Sequence, residues 1–321
     1  MTLLGRKIEQ VILILTIIIS VILFLLTTFL TSAYSADYEV IFNHLDEQQD
    51  DFGPGSYHYP LNDIFQNKGH LFDIKSFTIY EAEEKYMFSF AFNQLTDPWE
   101  AKYGFSLPLI ELYIDHQDGG SSELFHSGAN ITFPDDFKWN KFLKISGWWV
   151  RLFTPNSQKK DLLNLNDVSL EDPYQAETSE VEKEENTIKI TINKSELGSL
   201  DNSAFILLVG SFDPFGYDHF RSFSREKNSW QIYTESEQDI QKLPRVMDIL
   251  VPEGMSQRDI LKHELAEVPY FRVKVPEKSD SLAGQGDRTA GAINRADPIV
   301  QLLFFLYLLI ILAVIFYYRR H

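Results

Sequence analysis

Tyr86-Met-Phe-Ser-Phe-Ala-Phe92 decides the fold class. Large rings alternate with smaller side chains, the period-two pattern of a strand that packs one face on a core. Ile188-Lys-Ile-Thr-Ile192 alternates more cleanly. Ala204-Phe-Ile-Leu-Leu-Val209 is apolar on both faces and reads as a central strand, as does the run from Leu109 to Ile114 that ends at Asp115. Near the end, Phe271, Val273 and Val275 point one way while Arg272 and Lys274 point the other. Turn signals such as Asp118-Gly119-Gly120 and Asp213-Pro214 separate these runs. Many short strands with few helices predict an all-β sandwich or barrel. The aromatic content of 14% suits such strands.

Little else departs from the strand pattern. Ser256, with Asp259 three residues on, resembles a capping box and predicts a short helix over 256–265. Residues 166–185 hold eight acids against one lysine, with Val168, Leu170 and Val181 the main apolar positions. They read as a solvated loop or insertion. No repeat of fixed period is present.

Two uncharged apolar segments bracket this region, Val11 to Leu30 and Ile299 to Tyr317. Each is long enough for a helix to cross a hydrocarbon core of about 30 Å. Core helices of soluble proteins rarely lack a polar face for that length. Arg6 and Lys7 precede the first segment, and Arg319 and Arg320 follow the second. The excess of basic residues outside both segments predicts cytoplasmic ends and an exported middle. Ala33-Tyr34-Ser35 also fits a signal-peptidase site, so residues 11–31 read either as a signal anchor or as a cleaved signal peptide. The expected plan is a cytoplasmic N-terminus over 1–10, an extracytoplasmic domain over 37–275 and a flexible linker over 276–298. A transmembrane helix over 299–317 and a cytoplasmic tail over 318–321 complete it.

Composition narrows the function. A net charge of −17 argues against binding nucleic acid or an anionic lipid surface. The chain has no cysteine, which removes disulfides and thiol chemistry, and no Cys-x-x-Cys-His haem attachment exists. Neither a His-Glu-x-x-His zinc helix nor a Gly-x-Ser-x-Gly elbow occurs. Carboxylate pairs for glycoside hydrolysis need not be neighbours in sequence, but acids are so abundant that pairs alone mean little. The chain is read as no enzyme.

The densest constellation runs from Asp46 to Pro60, with Asp46, Asp50 and Asp51 ahead of Gly53-Pro54-Gly55 and Tyr57-His-Tyr59-Pro60. Three aspartates near one bend supply the hard oxygens that calcium takes in sets of six to eight. Glycine and proline let carbonyls turn inward there. The spacing is not that of an EF-hand, and an acidic surface turn is the alternative. For ring stacking the indoles are Trp99, Trp139, Trp148, Trp149 and Trp230. Trp148 and Trp149, if in a strand, would face opposite ways. Asn130 and Asp97 are candidate polar partners. Asn130-Ile-Thr132 and Asn193-Lys-Ser195 fit the glycan acceptor pattern.

The run from Asp46 to Pro60 resembles the opening motif of the glucodextranase C-terminal domain family. Further pieces follow in that family's order: Phe65, Gly69 and Phe72-Asp73, then Asp97-Pro98-Trp99, Gly104-Phe105-Ser106 and Tyr113-Ile114-Asp115. Gly128-Ala129-Asn130, Gly147-Trp148 and the segment Asp213 to Arg221 come next. Pro244 to Leu250, with Pro252, Gly254 and Gln257, closes the match. The resemblance spans roughly residues 38–265. It implies a DOMON-like β-sandwich, similar to family 9 carbohydrate-binding modules, that binds or attaches to surfaces rather than catalysing. This chain carries Glu47 and Gln49 where the family's motif tends to have proline and glycine. The resemblance strengthens calcium at Asp46, Asp50 and Asp51. Asp213 and Asp218 are weaker candidates, and Arg221 is a candidate to pair with one of them.

The expectation is therefore a membrane-anchored module that binds carbohydrate or a cell-surface polymer through Trp99, Trp148, Trp149 and Asn130, with calcium at the aspartates. It is expected at the cell membrane, anchored in the lipid bilayer by two helices, with a glycan or surface polysaccharide as partner. The alternative is a structural or accessory subunit of a membrane complex, for example with a sugar transporter or surface layer. Phe304, Phe305, Tyr307, Phe316 and Tyr317 would then offer a face to a membrane protein partner.

Overall fold

The two-residue periodicity builds a five-stranded antiparallel sheet. Its strands are β1 (Glu39–Leu45), β3 (Ile74–Glu81), β4 (Lys85–Phe92), β9 (Thr187–Asn193) and β8 (Glu180–Glu184), ordered β1-β3-β4-β9-β8. The computed structural model describes residues 38–157, 172 and 174–273. Along β4 every second side chain from Tyr86 to Phe92 is buried, and along β9 Ile188, Ile190 and Ile192 are. One face of this sheet is thus a wall of rings and isoleucines.

The second sheet packs against that wall. It runs β13 (Asp248–Ile249), β10 (Ala204–Ser211), β5 (Pro108–Asp115), β6 (Lys141–Ile145) and β7 (Val150–Phe153), with β14 (Phe271–Arg272) also on β10. Ile110, Leu112, Leu143, Ile145, Phe205 and Leu207 interdigitate with Phe77, Phe88, Phe90 and the β9 isoleucines. Phe77 stacks on Phe90 at 4.9 Å and meets Phe205 edge-on at 5.4 Å. Truncating such a fully buried ring to alanine costs roughly 3–5 kcal/mol.

The other face of the second sheet is covered too. Leu109, Tyr113, Phe142, Ile206 and Leu208 pack there under Phe125, Phe133, Phe137 and Trp139 from the β5–β6 connection and Val268 near the end of the domain. Burial on both faces is why β10 is apolar from Ala204 to Val209, and all eight of its residues are buried. A third, small sheet joins β11 (Phe223–Ser224), β12 (Ile232–Thr234) and β2 (Tyr57–His58), with β11 and β12 parallel.

Two expectations need correction. The acidic run is not wholly loop, because Glu180–Glu184 forms edge strand β8 on β9. Its charged side chains suit an edge that must not recruit another chain. The short helix is only Gln257–Leu261, and the Ser256 side chain makes no capping hydrogen bond.

Among the described residues no helix is long and apolar enough to cross a membrane. The two apolar segments, the linker over 276–298 and both expected cytoplasmic ends lie outside the described residues.

Candidate functional site

Strand β1 ends at Leu45, and the chain turns at once into the acidic motif. Asp46 is anchored by its amide to the Lys75 carbonyl at 3.0 Å. The turn is possible because Gly53 adopts a left-handed φ of 58°, and the Tyr57 ring occupies the space a side chain there would need. The Gly53 amide donates to the Met247 carbonyl at 2.8 Å, which lays the turn beside β13. Gln257 bridges the two. Its Oε1 accepts from the Ile249 amide at 2.7 Å and its Nε2 donates to the Asp50 carbonyl at 2.5 Å.

This arrangement brings Asp46 and Asp50 to Asp248. Each offers a carboxylate oxygen within 4.8 Å of the others. Asp73 stands within electrostatic reach of Asp46 and Asp50. Asp73 and Asp248 are fully buried and Asp46 nearly so. Asp248 Oδ2 accepts from the Ile74 amide at 2.7 Å, and Asp73 Oδ1 from the Gln49 amide at 2.8 Å. Asp46 Oδ1 and Oδ2, Asp50 Oδ1, Asp73 Oδ2 and Asp248 Oδ1 make no hydrogen bond of ordinary geometry.

Burial first, and then the Asp50 charge, pushes the Asp46 carboxyl up to about 8, against a partial pull downward from the Val251 and Glu47 amides. Burial and Asp73 push Asp50 up to about 7. Burial also raises Asp73, and it drives Asp248 well above the carboxylate range with Asp46 and Asp50 adding to it. Buried acids without partners are costly. Clustered oxygens and no nitrogen or sulfur donor match a hard cation such as calcium.

Asp51 has another role. Its Oδ1 pairs with His70 Nδ1 at 2.9 Å, and its Oδ2 accepts from the Phe72 amide at 2.9 Å and from the Tyr59 hydroxyl. The third carboxylate of the cluster is Asp248, about two hundred residues further along the chain. Its signal in the sequence was an acid between Met247 and Ile249 in an otherwise apolar run.

The indoles gather on loops beside the second sheet. Trp99 lies between β4 and β5, Trp148 and Trp149 in the β6–β7 turn, and Trp230 between β11 and β12. Trp99 meets Trp148 at 6.3 Å, with planes 27° apart, and Trp230 at 5.9 Å and 40°. All three are half-buried. The buried Arg221 guanidinium lies 4.2 Å from the Trp230 ring centre and 5.9 Å from that of Trp99. Trp230 Nε1 donates to Asp213 Oδ2 at 2.8 Å. On the same loop as Asp213, Phe215 and Tyr217 are exposed.

Trp148 and Trp149 do not face opposite ways across a strand, since they occupy a turn. Both pack on Phe212, at 5.0 and 6.3 Å. Trp149 continues toward His219 and carries the Arg151 guanidinium at 4.0 Å. Asn130 is a loop staple, its Nδ2 donating to the Gln241 and Leu243 carbonyls. Asp97 Oδ1 accepts from the Ala101 amide at 2.9 Å. Trp230, not among the residues singled out for binding, completes the indole group.

The weaker metal candidates are satisfied within the chain. Asp213 takes the Trp230 indole, the Phe215 amide and, at 3.7 Å, Arg221. Asp218 pairs with Lys144 at 2.6 Å and His126 at 2.9 Å. Lys144 also reaches Glu111 at 2.9 Å, its cross-strand neighbour on β5. Burial pushes Asp218 up, but Lys144 and His126 outweigh it and hold the carboxyl below its usual range.

A two-sheet domain with grouped, partly exposed indoles on its loops has the form of a binding module. The chain belongs to the family of the C-terminal, SLH-like binding module of glucodextranase, whose model matches residues 41–270. No curated protein matches the chain.

Proposed function

We propose that this domain is a non-catalytic module that binds carbohydrate or a cell-surface polymer on the Trp99, Trp148 and Trp230 group. The observation that carries this reading is the convergence of three half-exposed indoles from three separate loops, backed by Arg221 and Asp213. Sugar C–H faces are apolar and stack on rings, while hydroxyls need directional polar partners. Arg221 donates to Ser211 Oγ and the Trp230 and Phe212 carbonyls, so the platform is held before any ligand arrives. Preorganisation of that kind reduces the entropy lost on binding.

Calcium would be held by Asp46, Asp50 and Asp248, with Asp73 beside them. Bound there, it would neutralise the buried acids and tie the turn after β1 to β13. Residues 11–30 and 299–317 would hold the module at a membrane, with the domain on the extracytoplasmic side.

The test is titration of the full-length chain with α-glucan oligosaccharides and surface polysaccharides. Saturable binding that weakens roughly tenfold or more in W99A and W230A, with thermal stability retained, supports the reading. No binding to any of them, together with co-purification of a fixed membrane partner, would replace it with an accessory-subunit role.

A further inference from the structure

A separate cleft of about 350 Å³ opens between the segment around residues 58–70 and the β11–β12 region, with Lys227 on its loop and Tyr233 on β12. That volume sits near the lower end of small-ligand pockets, about 300–1,000 Å³. Its lining includes the rings of Phe52, His58, Tyr59, Phe65 and Tyr233. Phe52 stacks with Tyr59 at 5.4 Å and 30°, and His58 lies against Tyr233 at the same distance and angle. The walls are also fixed. Tyr59 donates to the fully buried Asp51 and accepts from the Leu71 amide at 2.9 Å, and Asp51 holds His70 at the rim.

The charge of the cleft is unlike that of the chain. The protein carries 46 acids against 29 lysines and arginines. Yet Lys68, Lys227, His58 and His70 line the cleft and no acid does. Lys227 Nζ is poised 5.2 Å over the Tyr233 ring. Among the described residues neither Lys68 nor Lys227 has an ion-pair partner, and of the cleft's basic groups His70 alone is paired, with the buried Asp51. A field that is negative overall repels polyanions in general, so a local basic recess selects a ligand by one anionic group placed correctly.

We infer that this cleft is a second saccharide subsite, specific for a sugar ring that bears an anionic substituent. The rings take the apolar face of the sugar and Lys68 and Lys227 take the carboxylate or phosphate. The subsite is independent of the indole platform.

The experiment titrates the full-length chain with three probes: an oligogalacturonate, a phosphorylated maltooligosaccharide and a neutral maltooligosaccharide. At least one anionic probe should bind saturably, and the one that binds tells carboxylate from phosphate. Binding of that probe should fall at least tenfold in K68Q/K227Q, and neutral binding and melting temperature should not change. Lys227 is exposed and Lys68 half-buried, neither in the core, so the variant should fold, and K227E, with the opposite charge, should weaken anionic binding further. Anionic binding that is unchanged in W99A/W230A supports the cleft whether or not the platform reading holds. The inference is overturned if neither anionic probe binds. It is equally overturned if K68Q/K227Q binds as the parent does, or if only W99A/W230A removes anionic binding.

Discussion

Two groups of buried charge lie in this domain, and they are completed in different ways. On the outer face of the second sheet, Glu111 and Asp218 share Lys144, with His126 beside them. At the end of β1, Asp46 and Asp50 meet Asp248, with Asp73 nearby, and no described lysine or arginine pairs with them. In the first group the chain supplies its own cation from the neighbouring strand. In the second it supplies only oxygens, several without a partner. Like charges crowded out of water do not persist unless a proton or a cation neutralises them. The contrast gives Lys144 a structural role and leaves the aspartate cluster to be neutralised by protons or, as proposed above, by a cation from solution.

Breaking the self-completed group should give the largest effect. In K144M, Glu111 loses its cation and Asp218 keeps only His126, a loss of roughly 3–5 kcal/mol, or a fall in Tm of about 6–20 °C. Calcium should not restore it, which calorimetry of the variant with and without the metal checks. Completing the other group should work in the opposite direction. Calcium at about one hundred times its Kd should stabilise the chelated chain by roughly 2.7 kcal/mol, a rise in Tm of about 5–10 °C. An unchanged Tm would remove calcium from the account.

The D248N variant sharpens the comparison further. An asparagine oxygen can still accept from the Ile74 amide, while the cluster loses a carboxyl group that burial makes costly to ionise. The chelated variant should be more stable than the parent by on the order of 1–3 kcal/mol, and its calcium response should be gone. A less stable variant that still responds to calcium would show that Asp248 is not a ligand.

The gentlest effect is a slope with pH. Asp46 and Asp50 have folded-state pKa values raised to about 8 and about 7, above the unfolded carboxylate value. The metal-free native state therefore holds more protons than the unfolded chain between about pH 4 and 8. Its stability should fall as pH rises through that window, by up to about 1.4 kcal/mol per pH unit for each of the two groups. Asp218 has the opposite sign, since its carboxyl is depressed. Its contribution is present above the unfolded value and is lost in acid. Chemical denaturation of the chelated chain at several pH values measures both limbs.

The sequence made some of this legible and hid the rest for physical reasons. Strands β4, β5, β9 and β10 could be read because burial on one face or two leaves a pattern over five to eight residues. Strand β8 could not, because an exposed edge needs charged side chains and so looks like loop. Strands β2, β11 and β13 are two residues long, too short for any period to show. Asp46 and Asp50 were visible as a local acidic bend. Asp248 was not, because pairing of β13 with β10 and the Gly53–Met247 hydrogen bond bring it there, and spacing carries no trace of either. Asp51 shared the bend but turned toward Tyr59 and His70. Trp99 and Trp148 were singled out as rings, yet only loop geometry brings Trp230 to them.

Isothermal titration of the chelated full-length chain with calcium chloride addresses the contrast between the two charge groups most directly. The account predicts one saturable site, lost in D248N, unaffected by the Lys144 group and weakening as pH drops below about 8. Heats of dilution alone at neutral pH, or equal binding in D248N, would contradict it.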